Sequence, residues 1–288
     1  MTRDALTPTI DGSVFTFASG DFAFTVDAAR AGRIVSFSLA GRNILTAPKH
    51  REDNNWGSTF WPSPQSDWNW PPPVEIDPGS YSARVSGGML SLASPVAPGL
   101  GLAVTKQFVF DEDQGVVAVE YGIVNKGTRA RSVGPWEITR VAAGGLTFFP
   151  MGEGAPWKGP QELMPLEIRD GVAWLDYAKT MGTADQKVFA DGREGWIAHL
   201  AGDLLLVKAF ADTTPAQAAP GEAEIELYTD AGRSYIEVEN QGAYVRLEPG
   251  AATTWTVRWY LRKLDASATA KVGSAQLLDY VRRLVSGG

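Results

Sequence analysis

Apolar and polar side chains alternate with a period of two along most of the chain. SVFTFA (13–18), FAFTVD (22–27) and RIVSFSL (33–39) alternate or run apolar, and Ser-Gly-Asp and Ala-Gly-Arg turns divide them. The pattern returns in YSARV, LSLAS, LAVTKQFVF, VVAVEYGIV, WIAHL, LLLVKAF, EIELYT, SYIEVEN, AYVRLEP and TTWTVRWYLRKL. Turn residues fall between these runs at Asp113-Gln114-Gly115, Asn125-Lys126-Gly127, Asp230-Ala231-Gly232 and Pro249-Gly250. Many short strands at this spacing predict an antiparallel sandwich or barrel rather than βαβ units. One stretch has the helical period instead. In SAQLLDYVRRLVSGG, Leu277, Leu278, Val281, Leu284 and Val285 share a stripe, with Ser274 as N-cap and Gly287 as stop. A helix over about 274–286 is expected to seal one end of the sandwich. TTPAQAAPGEAE (213–224) reads as a surface loop, and no linker divides the chain, so a single domain over residues 1–288 is expected.

Composition narrows the class. The 288 residues are 44% hydrophobic and 20% charged, enough for a sizeable core, and there is no cysteine, which excludes disulfides, thiolate metal sites and a Cys nucleophile. The formal net charge of -7 and the lack of a basic stripe argue against nucleic acid and against an anionic membrane as partners. No apolar run approaches the roughly 20 residues of a membrane span. MTRDALTPTIDGSVF has no apolar leader core, so no signal peptide is expected in this chain, and the compartment is left open between cytoplasm and periplasm. No cofactor fingerprint and no metal-ligand spacing occurs, so neither a cofactor nor a metal is expected.

Strand parity singles out side chains that break the apolar pattern. In LLLVKAF both faces are apolar, so Lys208 reads either as a snorkelling lysine or as a cation at the floor of a cleft. In SYIEVEN, Glu237 and Glu239 share a face with Tyr235: a solvated outer face, or a carboxylate pair that accepts from vicinal hydroxyls and takes a proton. In GPWEITRV, Glu137 and Thr139 lie opposite Trp136, Ile138 and Arg140, which suits a pocket wall or a cross-strand ion pair. Of the two histidines, His199 reads as a packed strand residue and His50 as a polar-loop residue close to an unusual segment.

That segment is FWPSPQSDWNWPPP (60–73), with three tryptophans among five prolines. Proline removes backbone donors and fixes φ, so the three indoles cannot share one regular element. Trp61, Trp68 and Trp70 are either a packing plug or a platform that stacks on the C–H faces of a sugar, with Gln65, Asp67 and Asn69 as hydroxyl partners.

Four stretches, GSTFWPSPQSDWNWPPP (57–73), PWEITRV (135–141), DQKVFADGREGWIAHLAGDLLLVKAF (185–210) and YIEVENQGAYVRLEPGAATTWTVRWYL (235–261), carry a resemblance to the galactose-mutarotase-like, or aldose 1-epimerase-like, family, in a little-characterised bacterial branch. The resemblance implies a large antiparallel β-supersandwich whose concave sheet holds a mono- or oligosaccharide. It also implies a glutamate base acting on the anomeric hydroxyl and a histidine acid acting toward the ring oxygen. The family's Leu-Glu-x-Gln stretch before a Leu-x-Pro-Gly turn matches Val238-Glu239-Asn240-Gln241 before Leu247-Glu248-Pro249-Gly250, so Glu239 is the carried-over base and Glu237 its neighbour. The acid does not carry over. TRVAAGGLTFFPMGEG contains no histidine, and Trp68-Asn69-Trp70 stands where the phosphosugar epimerases have His-Gly. Lys208, Tyr235 and His50 remain as candidate acids. The expected function is a carbohydrate-active enzyme of epimerase, lyase or hydrolase type; the alternative is a non-catalytic sandwich that binds sugar or a protein partner. Expected substrate contacts are Trp61, Gln65, Trp68, Trp70, Trp136, Glu137, Arg140 and His50.

Overall fold

A computed structural model describes residues 6–50, 53–179, 184–265 and 271–287. The first five residues of the N-terminal stretch read for a leader lie outside these. The described chain forms two large sheets with antiparallel neighbours throughout, apart from one short parallel pair, Glu162–Leu163 against Gln186–Lys187. The first sheet is 12-stranded and centres on Ser58–Ser63, Arg131–Ala142, Tyr235–Gln241, Ile225–Thr229 and Gln186–Ala190, in that spatial order. The second is 10-stranded and centres on Trp196–Ala201, Leu204–Ala209, Ala252–Lys263, Val116–Asn125 and Leu102–Asp111. The all-β sandwich with one C-terminal helix expected from the period of two is the fold observed.

The inner faces meet in an aromatic core. Phe24 and Phe37 of the first sheet meet Trp259 of the second edge-on, with ring centroids 6.0 and 5.8 Å away, and Phe60 stacks on Tyr121 at 4.3 Å. Edge-to-face and offset contacts suit the ring quadrupoles, so these pairs add to the burial of apolar area.

The strand Leu204–Ala209 is apolar on both faces for a structural reason. Leu204 and Leu206 join the core between the sheets, while Leu205 and Val207 join a second cluster with Leu277 and Val281 of the helix Ala275–Val285. The helix therefore lies over the outer face of the second sheet and does not seal the end of the sandwich as the sequence suggested. Its stripe at i, i+1, i+4, i+7, i+8 is wide enough to cover a sheet face, which a lid over an open end would not need. Ser274 caps it, its hydroxyl accepting from Leu277 N at 3.3 Å. No described helix is long and apolar enough to cross a membrane.

Candidate functional site

The outer face of the first sheet carries indole, carboxylate, ammonium, guanidinium and phenol groups side by side. Register fixes its composition. Trp136 stands opposite Trp61 on one neighbouring strand and opposite Gln241 on the other; Arg140 stands opposite Glu237, Glu237 opposite Tyr228, and Glu239 opposite Glu226. Side chains at such paired positions stand about 4.5–5.5 Å apart at Cβ. Parity then sends Trp136, Arg140, Glu237, Glu239, Tyr228 and Lys187 to the side away from the second sheet.

Two polar chains result. In the first, Trp136 Nε1 donates to Glu239 Oε2 at 2.8 Å, and Lys187 Nζ reaches Glu239 Oε1 at 3.2 Å and Glu226 Oε2 at 2.6 Å. Gln241 Nε2 closes it on Glu226 Oε1 at 2.6 Å. Burial by itself would depress the Lys187 ammonium, but Glu226 and Glu239 outweigh it and hold its pKa above the usual lysine value. Burial pushes Glu226 well above the usual carboxylate range, against the pull of Lys187.

In the second chain, Arg140 Nε donates to Glu237 Oε1 at 2.8 Å, and Arg140 Nη1 donates to Thr59 Oγ1 at 3.2 Å. Burial pushes the Glu237 carboxyl up to about 7; Glu239 adds to this, and Arg140 and Lys187 oppose it. Arg140 is fully enclosed, whereas the Glu237 side chain is 12% exposed and reaches a cavity.

That central cavity has a volume of about 380 Å³ and is lined by Asn55, Trp61, Gln65, Trp70, Trp136, Gln161, Asp185, Lys187, Tyr228, Tyr235 and Glu237. Its size falls within the roughly 300–1,000 Å³ of small-molecule sites, and its wall pairs aromatic rings with hydrogen-bonding groups. Burial raises the Tyr228 and Tyr235 pKa above the ordinary tyrosine value, so both phenols keep their protons near neutral pH.

The tryptophan–proline segment divides its labour. Trp61 is buried and meets Trp68, Trp70 and Trp136 edge-on, at centroid distances of 5.7, 5.6 and 5.3 Å. Its Nε1 donates to Asp77 Oδ2 at 3.1 Å. Trp68 is half-buried, and its Nε1 donates to Pro62 O at 2.8 Å. Trp70 is 53% exposed and offers its ring to the cavity. One stretch is thus core anchor, brace and open aromatic face in turn.

A model of the family described as a domain of unknown function, DUF4380, matches residues 15–262. The chain belongs to the DUF4380 family. No curated protein matches it in sequence. Among solved structures, this DUF4380 chain is similar to a galactose mutarotase-like protein from Lactobacillus casei, at 11% identity and a TM-score of 0.62 over 86% of this chain and 100% of that one. A galactose mutarotase-like protein from Clostridium acetobutylicum aligns at 8% identity and 0.56, over 91% and 100%. The Slr1438 protein of Synechocystis aligns at 12% identity and 0.60, over 91% and 100%. The DUF4380 fold is galactose mutarotase-like.

Of the residues singled out in the sequence, Trp61, Gln65, Trp70, Trp136, Tyr235 and Glu237 come together around the central cavity of the DUF4380 sandwich. Glu239 and Arg140 lie directly beneath it, fully buried. His50 lines a neighbouring cavity. Trp68 braces Trp61 from behind. Lys208 and Glu137 do not join the site. They point between the sheets, where Lys208 Nζ lies 3.2 Å from Glu137 Oε2 and donates to Thr139 Oγ1 and Val238 O. Trp259 Nε1 and the Tyr121 hydroxyl donate to the other Glu137 oxygen. Each charge in that interior needed a partner, and the opposite sheet supplied one. Sequence reasoning missed Lys187, Glu226, Tyr228, Gln161 and Asp185. The signal for Glu226 and Tyr228 was present in EIELYT, where parity sets them on the face opposite Ile225 and Leu227.

Proposed function

We propose that the outer face of the first sheet binds a carbohydrate, with Trp70 as the stacking face and Glu237 as the base. The observation that carries this is the exposed Trp70 ring at a cavity whose remaining wall offers carboxylate, ammonium, amide and phenol groups. Indole faces pack against sugar C–H groups, while carboxylates and amides take the hydroxyls. The galactose mutarotase-like fold of the neighbours supports the same ligand class.

The sequence resemblance favoured Glu239 as base, but Trp136 and Lys187 engage both of its oxygens and no part of its side chain reaches the cavity. Glu237 reaches the cavity, and a carboxyl near 7 is matched to proton transfer at neutral pH. In an epimerase-type reaction, Glu237 takes the proton of the anomeric hydroxyl as the C1–O5 bond opens. A protonated group of the same wall, the Lys187 ammonium or a phenol of Tyr228 or Tyr235, gives a proton to O5. Reclosure on the other carbonyl face returns both protons.

A second reading, a sugar binder without chemistry, is favoured by the placement of both histidines: His199 is buried in the core and His50 lies outside the central cavity. Titration of tryptophan fluorescence with a panel of aldoses, uronates and phosphosugars tests binding, with Trp70→Ala as control. NMR observation of anomer exchange then tests turnover. In an enzyme, Glu237→Gln removes exchange with little change in affinity; in a binder, wild-type protein shows no exchange at saturation. A flat fluorescence response to every one of these sugars and to their oligomers overturns both readings.

A further inference from the structure

The central cavity does not end at Trp70. A second cavity of about 510 Å³ lies beside it, and the two share Asn55, Trp70 and Tyr235. At the junction, beside Trp70, Asn55 Nδ2 donates to Tyr235 Oη at 3.2 Å. The wall of this side cavity is more apolar than the central one but also sets hydrogen-bonding groups, Asp53 and His50 among them, beside an indole, that of Trp56. Thr46, Asn54 and Ser234 supply hydroxyl and amide groups, and Ala47 and Ala142 supply small apolar surface. Ala142 ends the strand that carries Trp136 and Arg140 and lies on the same face, so the side cavity continues along that strand.

Resting on the sugar-binding reading above, we propose that the ligand is an oligosaccharide of two or more units rather than a free monosaccharide. One unit sits over Glu237 in the central cavity, and the chain passes across Trp70 into the side cavity. Each cavity alone has the volume of a small-molecule site, so a lone pyranose would leave the larger one unfilled. Trp70 is placed to serve both units because its ring lines both cavities. The Asn55–Tyr235 pair offers an amide and a phenol at the junction, where a glycosidic oxygen and its flanking hydroxyls would pass.

The test is calorimetric titration with α- and β-linked gluco-, manno-, galacto- and uronate oligomers of one to four units. The full chain is compared with Ala142→Trp and with Ala47→Trp, which plug the side cavity from a strand end and from a loop. Both positions are exposed, and circular dichroism checks that each variant keeps its fold. The expected result is affinity that rises about tenfold or more between one and three units in the wild type and does not rise in either plugged variant. Equal affinity at every length, or a rise that survives both plugs, overturns the proposal while leaving sugar binding intact. Absence of binding by any oligomer or monomer overturns the sugar-binding reading itself.

Discussion

Arg140 and Glu237 face each other across paired strands, with Arg140 Nε donating to Glu237 Oε1 at 2.8 Å, which sets a buried cation against a cavity-facing carboxylate. The pairing holds Glu237 down against burial, which pushes it up to about 7. An opposite charge at this range lowers a carboxyl pKa by about 1–3 units. Arg140→Met should therefore raise the Glu237 midpoint by about one unit or more, read by carbon NMR titration of labelled glutamate carboxyls. The sign for activity follows. With Glu237 as the proposed base, which must be unprotonated to act, turnover should be present above pH 7 in the wild type and lost as pH falls through about 7. The acid limb moves to higher pH in the variant. An unmoved Glu237 midpoint would show that Arg140 does not tune it.

The Lys208–Glu137 pair makes the opposite prediction, since it is fully buried and contributes to the sandwich without touching the cavity. Removing one partner of a buried pair typically destabilises by about 3–5 kcal/mol, because the other charge is left alone. Lys208→Met should lower the urea midpoint accordingly, and adding Glu137→Gln should recover much of the loss. Saccharide affinity of Lys208→Met should stay within about threefold of wild type, since 1.4 kcal/mol corresponds to tenfold. A loss of affinity larger than the loss of stability explains would return Lys208 to the site.

These two pairs also mark how far the sequence reaches. Parity separated Glu137 and Thr139 from Trp136, Ile138 and Arg140 correctly, because one backbone period decides it. Which of the two faces is the cleft is decided by the second sheet, and strands 69 residues apart in the chain bring Lys208 to Thr139. A charged residue in an apolar strand looks the same from sequence whether it meets a ligand or an opposite charge. Lys187 was illegible for a related reason. Its strand is five residues long, and only its pairing with Ile225–Thr229 aligns it with Glu226 and Glu239. The helix was legible in extent and cap. Its docking surface was not, since that depended on Leu205 and Val207 presenting a second apolar face.

Trp61 and Trp70 come from one proline-rich stretch yet should respond to mutation in opposite ways. Trp61 is 4% exposed and contacts three other indoles, so Trp61→Ala should destabilise by about 3–5 kcal/mol, as large-to-small core changes do. Trp70 is 53% exposed, so Trp70→Ala should change stability by about 0.5 kcal/mol or less while abolishing the saccharide-induced fluorescence change. Chemical denaturation and fluorescence titration on the same samples check both. A Trp70→Ala variant that loses stability as Trp61→Ala does would make the whole segment a packing plug.

His199 is an acid-sensitive group of the core. Its Nδ1 lies 2.9 Å from Thr147 Oγ1, its Nε2 has no hydrogen-bond partner among the described residues, and it is fully buried. Burial pushes its pKa from 6.5 down to about 4. The unfolded chain therefore binds a proton that the folded chain refuses between those values. The contribution to stability is complete above pH 6.5 and is lost as pH falls toward 4, by about 3 kcal/mol at 1.36 kcal/mol per unit. Glu237 and Glu226, held above the usual carboxylate range, act with the opposite sign, since the folded chain keeps protons there that the unfolded chain releases as pH rises. The two effects separate in a difference measurement. Urea denaturation at pH 7 and pH 4.5 should show His199→Gln losing less stability on acidification than wild type, by an amount approaching that figure. Parallel profiles in the two proteins would mean that the imidazole takes its proton without opening the fold.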